Sequence, residues 1–525
     1  MVPGGVGAQH GEMPTTLVAQ ARRLSAGTPP DRDRVVDLLR ASSLVVVVLG
    51  HVLMALVTWP DGRPVLDNLL GHVPGLPLVT WALQVMPLFF LAGACANARS
   101  WESAERRGVP WRRWAQDRLA RLVRPLVVYL GVWIVLVLVA QAVLGPATTR
   151  PLAALATQLL WFLGVYIPVT VATPWMVRRA TRAPWATPAL LLAGVAAVDL
   201  ARFATGNVAF GLLNFLLVWL MAAQLGLAVT RHRPSGAVLA GLALGGLAVN
   251  AVLVTVGPYP VSMVGLPGGT MSNMAPPTLV LAVHCWVLTA LAGLLWDRLD
   301  RLARRTRVWT ATVAVGACSM TVYLWHLTAL VVVVVAEHAV GFDRGTRVGT
   351  GWFWVATAVH VSLVLAVVAL IVTVAAPAEH RRIPGLDLPA SGTGSAVGPA
   401  PSAAGAVLVG AGSGACAVGL LVLSATGMGG FPFGHVTRYA GLPLTPGFGL
   451  LLLVVGAALS RRGATGPVGR FGRIPEMDDR RDDDAADQLR DLQAMIATRM
   501  RAAGETPDSM VAALLADRVA DTSLD

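Results

Sequence analysis

The chain has no lysine; all 41 of its basic residues are arginine. Charged residues make up only 13% of its 525 positions, too few for a soluble protein of that length. Four cysteines are present, Cys95, Cys285, Cys318 and Cys416, each in or beside an apolar run and none in a C-x-x-C pair. This gives no sign of a cysteine metal site, and small buried hydrophobes are the plain reading. Ligand spacing for a metal is missing as well, so none is expected. The first thirty residues show no signal-peptide pattern. Neither an internal repeat nor a low-complexity tract appears outside one Gly/Pro-rich stretch. In a soluble chain the formal charge of +12 would point to nucleic acid. Here the arginines lie in short loops between apolar runs, a pattern that sets membrane orientation, and no nucleic-acid partner is expected.

The apolar content is high: 55% of residues are hydrophobic and the mean hydropathy is +0.64. Runs of membrane-spanning length recur twelve times, near 36–58, 76–98, 123–145, 153–176, 186–202, 207–230, 236–256, 277–297, 308–335, 352–376, 404–426 and 443–460. The loops alternate in arginine content. Arg99, Arg106, Arg107, Arg112 and Arg113, then Arg178, Arg179 and Arg182, then Arg298, Arg301, Arg304 and Arg305 all fall on one side, whereas Arg63, Arg150, Arg202, Arg344 and Arg347 are scattered on the other. By the positive-inside rule both termini are cytoplasmic, in a multi-pass protein of the cell membrane. The expected fold is all-α, a polytopic membrane helix bundle of ten core transmembrane helices plus about two additional C-terminal spans. It divides into a disordered cytoplasmic extension (1–33), a ten-helix membrane domain (34–376), a Gly/Pro/Ala/Ser-rich linker (377–403), two further spans (404–462) and a charged cytoplasmic tail with short amphipathic helices (463–525).

Four segments carry ionisable or aromatic groups inside these runs. In the first, Arg40 and His51 are eleven residues apart, almost three helical turns, so they share a face and lie about 16 Å apart along the axis. Asp37 precedes Arg40 by three and joins that stripe. Charges at membrane depth usually face a protein interior or a wet cavity, so this stripe reads as a polar pocket open to the cytoplasm. The second segment, MPLFFLAGACANARS, places Phe89, Phe90 and Gly93 together; taken alone it is a close-packing stretch. The third, RLARLVRPLVVY, repeats arginine at Arg118, Arg121 and Arg124. These are either orientation anchors or an anion site, the latter favoured by bidentate guanidinium geometry and by Pro125 just inside a helix start. The fourth, TVYLWHLTAL, holds Tyr323, Trp325 and His326.

Together and in this order the segments resemble acyltransferase family 3, polytopic bacterial enzymes that O-acylate sugars and other envelope or secreted acceptors. Arg40 and His51 match its R-x10-H motif. Phe89, Phe90 and Gly93 match its FF-x-small-G segment, with Ala92 where serine is common, and Arg121 and Arg124 match its R-x-x-R. WFLGVYIPV from Trp161 and YLWH from Tyr323 to His326 resemble its fourth and late helices. The resemblance covers about residues 34 to 376. Larger members append a secreted hydrolase-like domain with a GDS-type motif, and the tail here has no such motif.

The resemblance implies an O-acyltransferase that takes an acyl group from cytoplasmic acyl-CoA to a hydroxyl of a sugar or envelope glycan or glycolipid. Acyl-CoA is then a substrate, and no cofactor is held permanently. His51, Arg40 and Asp37 are the catalytic candidates, with His51 as general base and Asp37 either orienting or neutralising Arg40. Arg118, Arg121 and Arg124 are candidates for the phosphates of acyl-CoA. Phe89, Phe90, Gly93, Tyr323, Trp325 and His326 are candidate pocket residues, His326 being either a pocket member or structural. No covalent nucleophile is evident. The loop 257–277 either lines an acceptor entrance or is a connector. The tail suits a protein partner or self-association. Twelve spans with intramembrane charges also fit a secondary transporter, against which stands the lack of two similar halves. A non-catalytic membrane scaffold is a third alternative.

Overall fold

The computed structural model describes residues 22–465 apart from 24, 30, 31, 267, 268, 270, 343, 380, 389–402, 435, 440 and 441. Most of the expected extension and linker, and the tail beyond Thr465, lie outside the described residues. Among the described residues twelve spans are long and apolar enough to cross a membrane, and the fold is an all-α polytopic bundle.

Helix α1 (Arg34–Met54) starts where the Asp33 carboxylate accepts from the backbone N–H groups of Val35 and Val36, an N-cap that satisfies two otherwise orphaned donors. The expected run to residue 58 is not one helix. After Met54 the chain turns extended and forms a two-stranded hairpin, β1 (Ala55–Thr58) with β2 (Val65–Asn68), in the register Ala55↔Asn68 to Thr58↔Val65. The turn is Trp-Pro-Asp-Gly, with Asp61 at φ 53 and Gly62 at φ 71. Pro, Asp and Gly are residues suited to those backbone angles.

Other spans are also divided. The second consists of α2 (Leu76–Leu83) and α3 (Met86–Arg106), with Pro87 in the first turn of the latter, where its missing N–H is harmless. The third is a single 34-residue helix, α4 (Trp111–Leu144). It begins a dozen residues earlier than expected, so Pro125 lies mid-helix and not at a helix start. Arg118, Arg121 and Arg124 therefore have no helix N-terminus beside them. The fourth span is α5 (Pro146–Thr157) and α6 (Leu160–Val171), followed by the amphipathic α7 (Thr173–Arg182). Then come α8 (Ala186–Thr205), α9 (Leu212–Arg231), α10 (Gly236–Thr255) and α11 (Leu279–Ala303). The run expected as one span over 308–335 is two helices, α12 (Thr306–Ala317) and α13 (Ser319–Ala339), broken at Cys318. Helices α14 (Trp352–Glu379), α15 (Ala403–Thr426) and α16 (Pro446–Thr465) complete the set.

The centre of the bundle is α3, α6 and α9. Phe90 is fully buried and stacks on Trp219, ring centroids 4.6 Å apart. Gly226 lets α9 approach α3 so closely that a Cβ there would sit 2.7 Å from the Leu91 Cα. Val127, Val135, Leu138, Val139 and Val143 of α4, and Val355, Leu363 and Val374 of α14, point outward, as lipid-facing surfaces must when the backbone is already satisfied within each helix.

The last two helices are joined by glycine. Gly405, Gly412 and Gly419 on α15 recur every seven residues, as do Gly449, Gly456 and Gly463 on α16. A Cβ on Gly456 would lie 2.5 Å from the Gly412 carbonyl oxygen, and one on Gly463 2.6 Å from that of Gly405. The pair then docks on α6, where Gly164 meets the Ala417 carbonyl. Van der Waals contact between closely approaching backbones is what holds helices together where no water drives association. Gly456→Val must push the two backbones apart. The expected result is a lower melting temperature and a lower membrane yield, by an amount typical of core overpacking, about 1–3 kcal/mol. Fluorescence-detected thermal unfolding measures it, and an unchanged melting temperature would show that the hairpin tolerates separation.

Candidate functional site

The stripe on α1 begins at its Arg40 end with a shared carboxylate. Asp37 accepts from Arg40 at 3.1 Å and from Arg32 at 2.6 Å. The Arg40 guanidinium lies against the end of α12, near Gly316. Across from it, α4 carries Arg118, which lies over the Trp114 ring at 5.9 Å. Arg40 and Arg118 are both within electrostatic reach of the hydroxyl of Tyr166 on α6. That hydroxyl accepts from the Asn97 side-chain amide at 3.3 Å, and Asn97 also donates to Thr170 at 3.1 Å. A Cβ at position 93 would come within 2.8 Å of the Tyr166 oxygen. Gly93 is thus the residue that leaves room for Tyr166, and the site holds two cations and a phenol.

Arg121 and Arg124 are placed differently. Arg124 forms an ion pair with Asp387 at 2.5 Å. Asp387 also accepts from the Ile383 backbone N–H, and the neighbouring Leu386 carbonyl accepts from Gln116. Arg124 therefore ties the segment after α14 to α4. Arg121 is exposed on the same helix, in electrostatic contact with Asp117 and Arg118.

Three turns further along α1, His51 meets His326 of α13. The His51 Nδ1 and His326 Nε2 are 3.3 Å apart, with ring centroids 5.4 Å apart. The partners of His326 decide the tautomers. Its Nδ1 lies 3.0 Å from the Val322 carbonyl and 2.9 Å from that of Tyr323, and carbonyls only accept. Nδ1 of His326 therefore carries the proton, and Nε2 holds a lone pair. The group facing that lone pair, Nδ1 of His51, must donate. In a neutral pair this leaves the lone pair of His51 on Nε2, the arrangement of a general base oriented by a second group.

Aromatic side chains join the two ends. Phe89 and Phe90 of α3 pack edge-on against Phe162 of α6, at 5.1 and 5.4 Å, and Phe162 packs against Tyr323 at 5.2 Å. The Tyr323 hydroxyl donates to the Leu159 carbonyl at the break between α5 and α6. Trp325 turns away from the histidines: its indole N–H donates to Glu379 at 2.7 Å, and that carboxylate also accepts from Thr321 at 2.6 Å. His51, His326, Tyr323 and the two phenylalanines are thus brought together, with Arg40 and Arg118 at one end, while Trp325 and Arg124 serve neighbouring contacts. Tyr166, Asn97 and Glu379 were not singled out from sequence. Asn97 and Glu379 are polar residues at or near the ends of apolar runs, and that was the available signal.

The loop 257–277 is organised from within. Asn273 donates to the carbonyls of Pro260 and Ser262 and accepts from Thr278. Tyr259 donates to Asp199 at 2.9 Å; burial, and then the adjacent carboxylate, push its phenol up, so it remains a donor. Among the described residues no group of three His, Cys, Asp or Glu side chains is placed to hold an ion.

The α1 stripe thus carries a histidine pair at one end and arginines at the other, inside a bundle of membrane-length helices. The acyltransferase domain of acyltransferase family 3 matches residues 33–375, and the chain belongs to that family. It is a multi-pass membrane acyltransferase, which favours the enzyme reading over the carrier and the scaffold. No curated protein and no solved structure matches the chain.

The tautomer argument has a direct test. His326→Gln offers a carbonyl to the His51 N–H, whereas His326→Leu offers nothing. Turnover is expected to stay within about tenfold of wild type in the first and to fall about a hundredfold in the second, as for other groups that orient a functional imidazole. Equal losses would show that His326 acts through its shape alone.

Proposed function

We propose that this protein transfers an acyl group from acyl-CoA, bound at the Arg40 end, to a hydroxyl of a sugar or envelope glycan or glycolipid held near His51. The observation that carries the reading is the His51–His326 pair, which leaves His51 Nε2 as an oriented base about 16 Å along α1 from a pair of arginines. Arginine is well suited to the phosphates of CoA because its planar fork binds phosphate oxygens bidentately. Arg40 and Arg118, both within electrostatic reach of the Tyr166 hydroxyl, supply that donor set. The pantetheine arm then runs past Phe89, Phe90 and Phe162, bringing the thioester to His51.

There His51 Nε2 takes the proton of the acceptor hydroxyl while the oxygen attacks the thioester carbonyl. The carbon–sulfur bond breaks, the acyl group stays on the oxygen, and the proton passes from His51 to the departing thiolate. Atoms and charge balance without a metal, a redox partner or a covalent enzyme intermediate. Asp37, shared between Arg32 and Arg40, holds Arg40 in place and takes no part in the proton transfer. A donor made in the cytoplasm places the Arg40 end on that side, with both termini cytoplasmic in the cell membrane.

His51→Ala is expected to lower transfer from radiolabelled acyl-CoA by a factor of about 10²–10⁴, the usual worth of a general base, at an unchanged membrane level. Arg118→Ala is expected to raise the KM for acyl-CoA about tenfold, with a smaller effect on acceptor use. Full activity of His51→Ala would sink the mechanism. An unchanged acyl-CoA KM in Arg118→Ala would return that arginine to the role of an orientation anchor.

Orientation can be read separately. In a cysteine-free background, single cysteines at the exposed positions Thr205 and Gly351 should react with an impermeant maleimide on intact cells, whereas those at the exposed positions Thr181 and Ser235 should not. The reverse pattern would invert the protein and remove the cytoplasmic donor.

A further inference from the structure

The start of α1 carries two arginines that the acyl-transfer reading as argued above leaves without a role. Arg32 lies just before the helix, with its side chain 46% exposed, and Arg34 is the first helical residue. Asp37 joins Arg32 to the Arg40 end of the site. One carboxylate oxygen accepts from the Arg32 Nε at 2.6 Å, and the other accepts from Arg40 at 3.1 Å. Arg32 and Arg40 are therefore neighbours across a single carboxylate. Arg34 belongs to the same group. Its guanidinium lies 4.9 Å from the centre of the Trp309 ring, and that of Arg32 lies 5.9 Å from it.

The three arginines follow one face of α12. Trp309 and Gly316 are seven residues apart, almost two turns, so they share a side of that helix about 10 Å long. Arg32 and Arg34 stand at its Trp309 end. Arg40 stands at its Gly316 end, where a Cβ would lie 3.7 Å from the Arg40 Nη2. The platform is fixed, because Trp309 is buried and its indole N–H donates to Thr28 at 2.8 Å. A guanidinium held over an aromatic ring keeps N–H donors for another partner. Asp33, the other acid here, is matched by Arg99 at 2.5 Å. Asp37 offsets one of the three arginines, so the row keeps an excess of two positive charges.

CoA carries two phosphate groupings on one ribose: a 5′-diphosphate that leads to the pantetheine arm, and a 3′-phosphate monoester that points away from it. A phosphate monoester bears close to two negative charges at neutral pH, and guanidinium forks match its oxygens. We propose that Arg32 and Arg34 form the subsite for the 3′-phosphate of CoA, beside the diphosphate at Arg40 and Arg118. The order along the protein is then the order along the ligand: 3′-phosphate at Arg32 and Arg34, diphosphate at Arg40 and Arg118, pantetheine along Phe89, Phe90 and Phe162. Asp37 sets the spacing of the two phosphate groupings by holding Arg32 and Arg40 on the two sides of one carboxylate. The proposal rests on the acyl-transfer reading for the identity of the donor, and it adds how that donor is told from other thioesters. An acyl group carried on phosphopantetheine has no 3′-phosphate and gains nothing from this subsite.

The test measures calorimetric binding of CoA and of 3′-dephospho-CoA to the full chain in phosphatidylcholine nanodiscs, which needs neither turnover nor a known acyl group. Wild type is expected to bind CoA about tenfold more tightly, the scale of one charge-assisted hydrogen bond. Arg32→Gln and Arg34→Gln should each cut that ratio to about threefold, and the double variant should bring it to one. A merely structural clamp on α12 would weaken both ligands alike and leave the ratio unmoved. Arg40→Gln is expected to behave in that way, because both ligands keep the diphosphate. Either single variant decides the matter if the other fails to accumulate. A ratio of one in wild type, or an unchanged ratio in the variants, overturns the subsite while leaving the acyl-CoA reading in place. Binding of neither ligand by wild type means that the reading itself has failed, and the subsite with it. The other source of phosphate at such a surface is an anionic lipid head group. A ratio of one in wild type, together with loss of bound phosphatidylglycerol in the variants, would assign the two arginines to lipid.

Discussion

A polar atom between apolar helices has no water to turn to, and the arrangement of this bundle follows from where its few such atoms find partners. The contact between His51 and His326 is the central case. Two carbonyls on α13 hold the proton of one ring, that ring's lone pair holds the proton of the other, and α1 is thereby set in rotation and depth against α13. The same solution recurs at several other buried polar groups. Glu379 is satisfied by Trp325 and Thr321, Asp199 by Asn214, Tyr259 and the Leu279 N–H, and Asn97 by Tyr166 and Thr170. Each closed set pins two or three helices. Other buried polar atoms stay open, among them both side-chain amide atoms of Asn250, the Trp219 indole N–H and one ring nitrogen each of His284 and His360.

The chemistry proposed here needs distance as well as contact. Arg40 and His51 belong to one rigid helix, so the separation of a phosphate-binding end from a base is built into α1 and does not depend on loop conformation. Between them the aromatic side chains of α3, α6 and α13 pack edge to face, and in the proposed mechanism this apolar wall is what the pantetheine arm lies against. Gly93 shows how tight this wall is, since its missing side chain is the space in which Tyr166 stands.

The bundle is assembled by two kinds of close approach. In the core a glycine meets a large residue, as Gly226 meets Leu91 and Gly93 meets Tyr166. In the C-terminal hairpin glycine meets glycine, and the backbones of α15 and α16 touch directly. Both are ways of gaining van der Waals contact where the hydrophobic effect gives none. The first requires a particular side chain in a particular place; the second requires only spacing.

What the sequence by itself determined was the number of spans and the identity of the stripe. Span length and charge alternation are properties of single segments, set by the thickness of the membrane and the position of arginine, and the R-x10-H spacing on one helix needs no neighbour to be read. The seven-residue spacing of Gly405, Gly412 and Gly419 was equally present in the letters and passed as composition. Hydropathy cannot see a break that leaves a run apolar, so the division at Cys318, the hairpin after Met54 and the early start of α4 at Trp111 came only with the structure. So did every pairing between helices. Which nitrogen of His51 is free depends on two carbonyls on a helix 275 residues away from it in sequence, and Arg124 meets Asp387 across 263 residues. A side chain's partner in a helical bundle is decided by the rotation of two helices about their axes, and only tertiary packing sets that rotation.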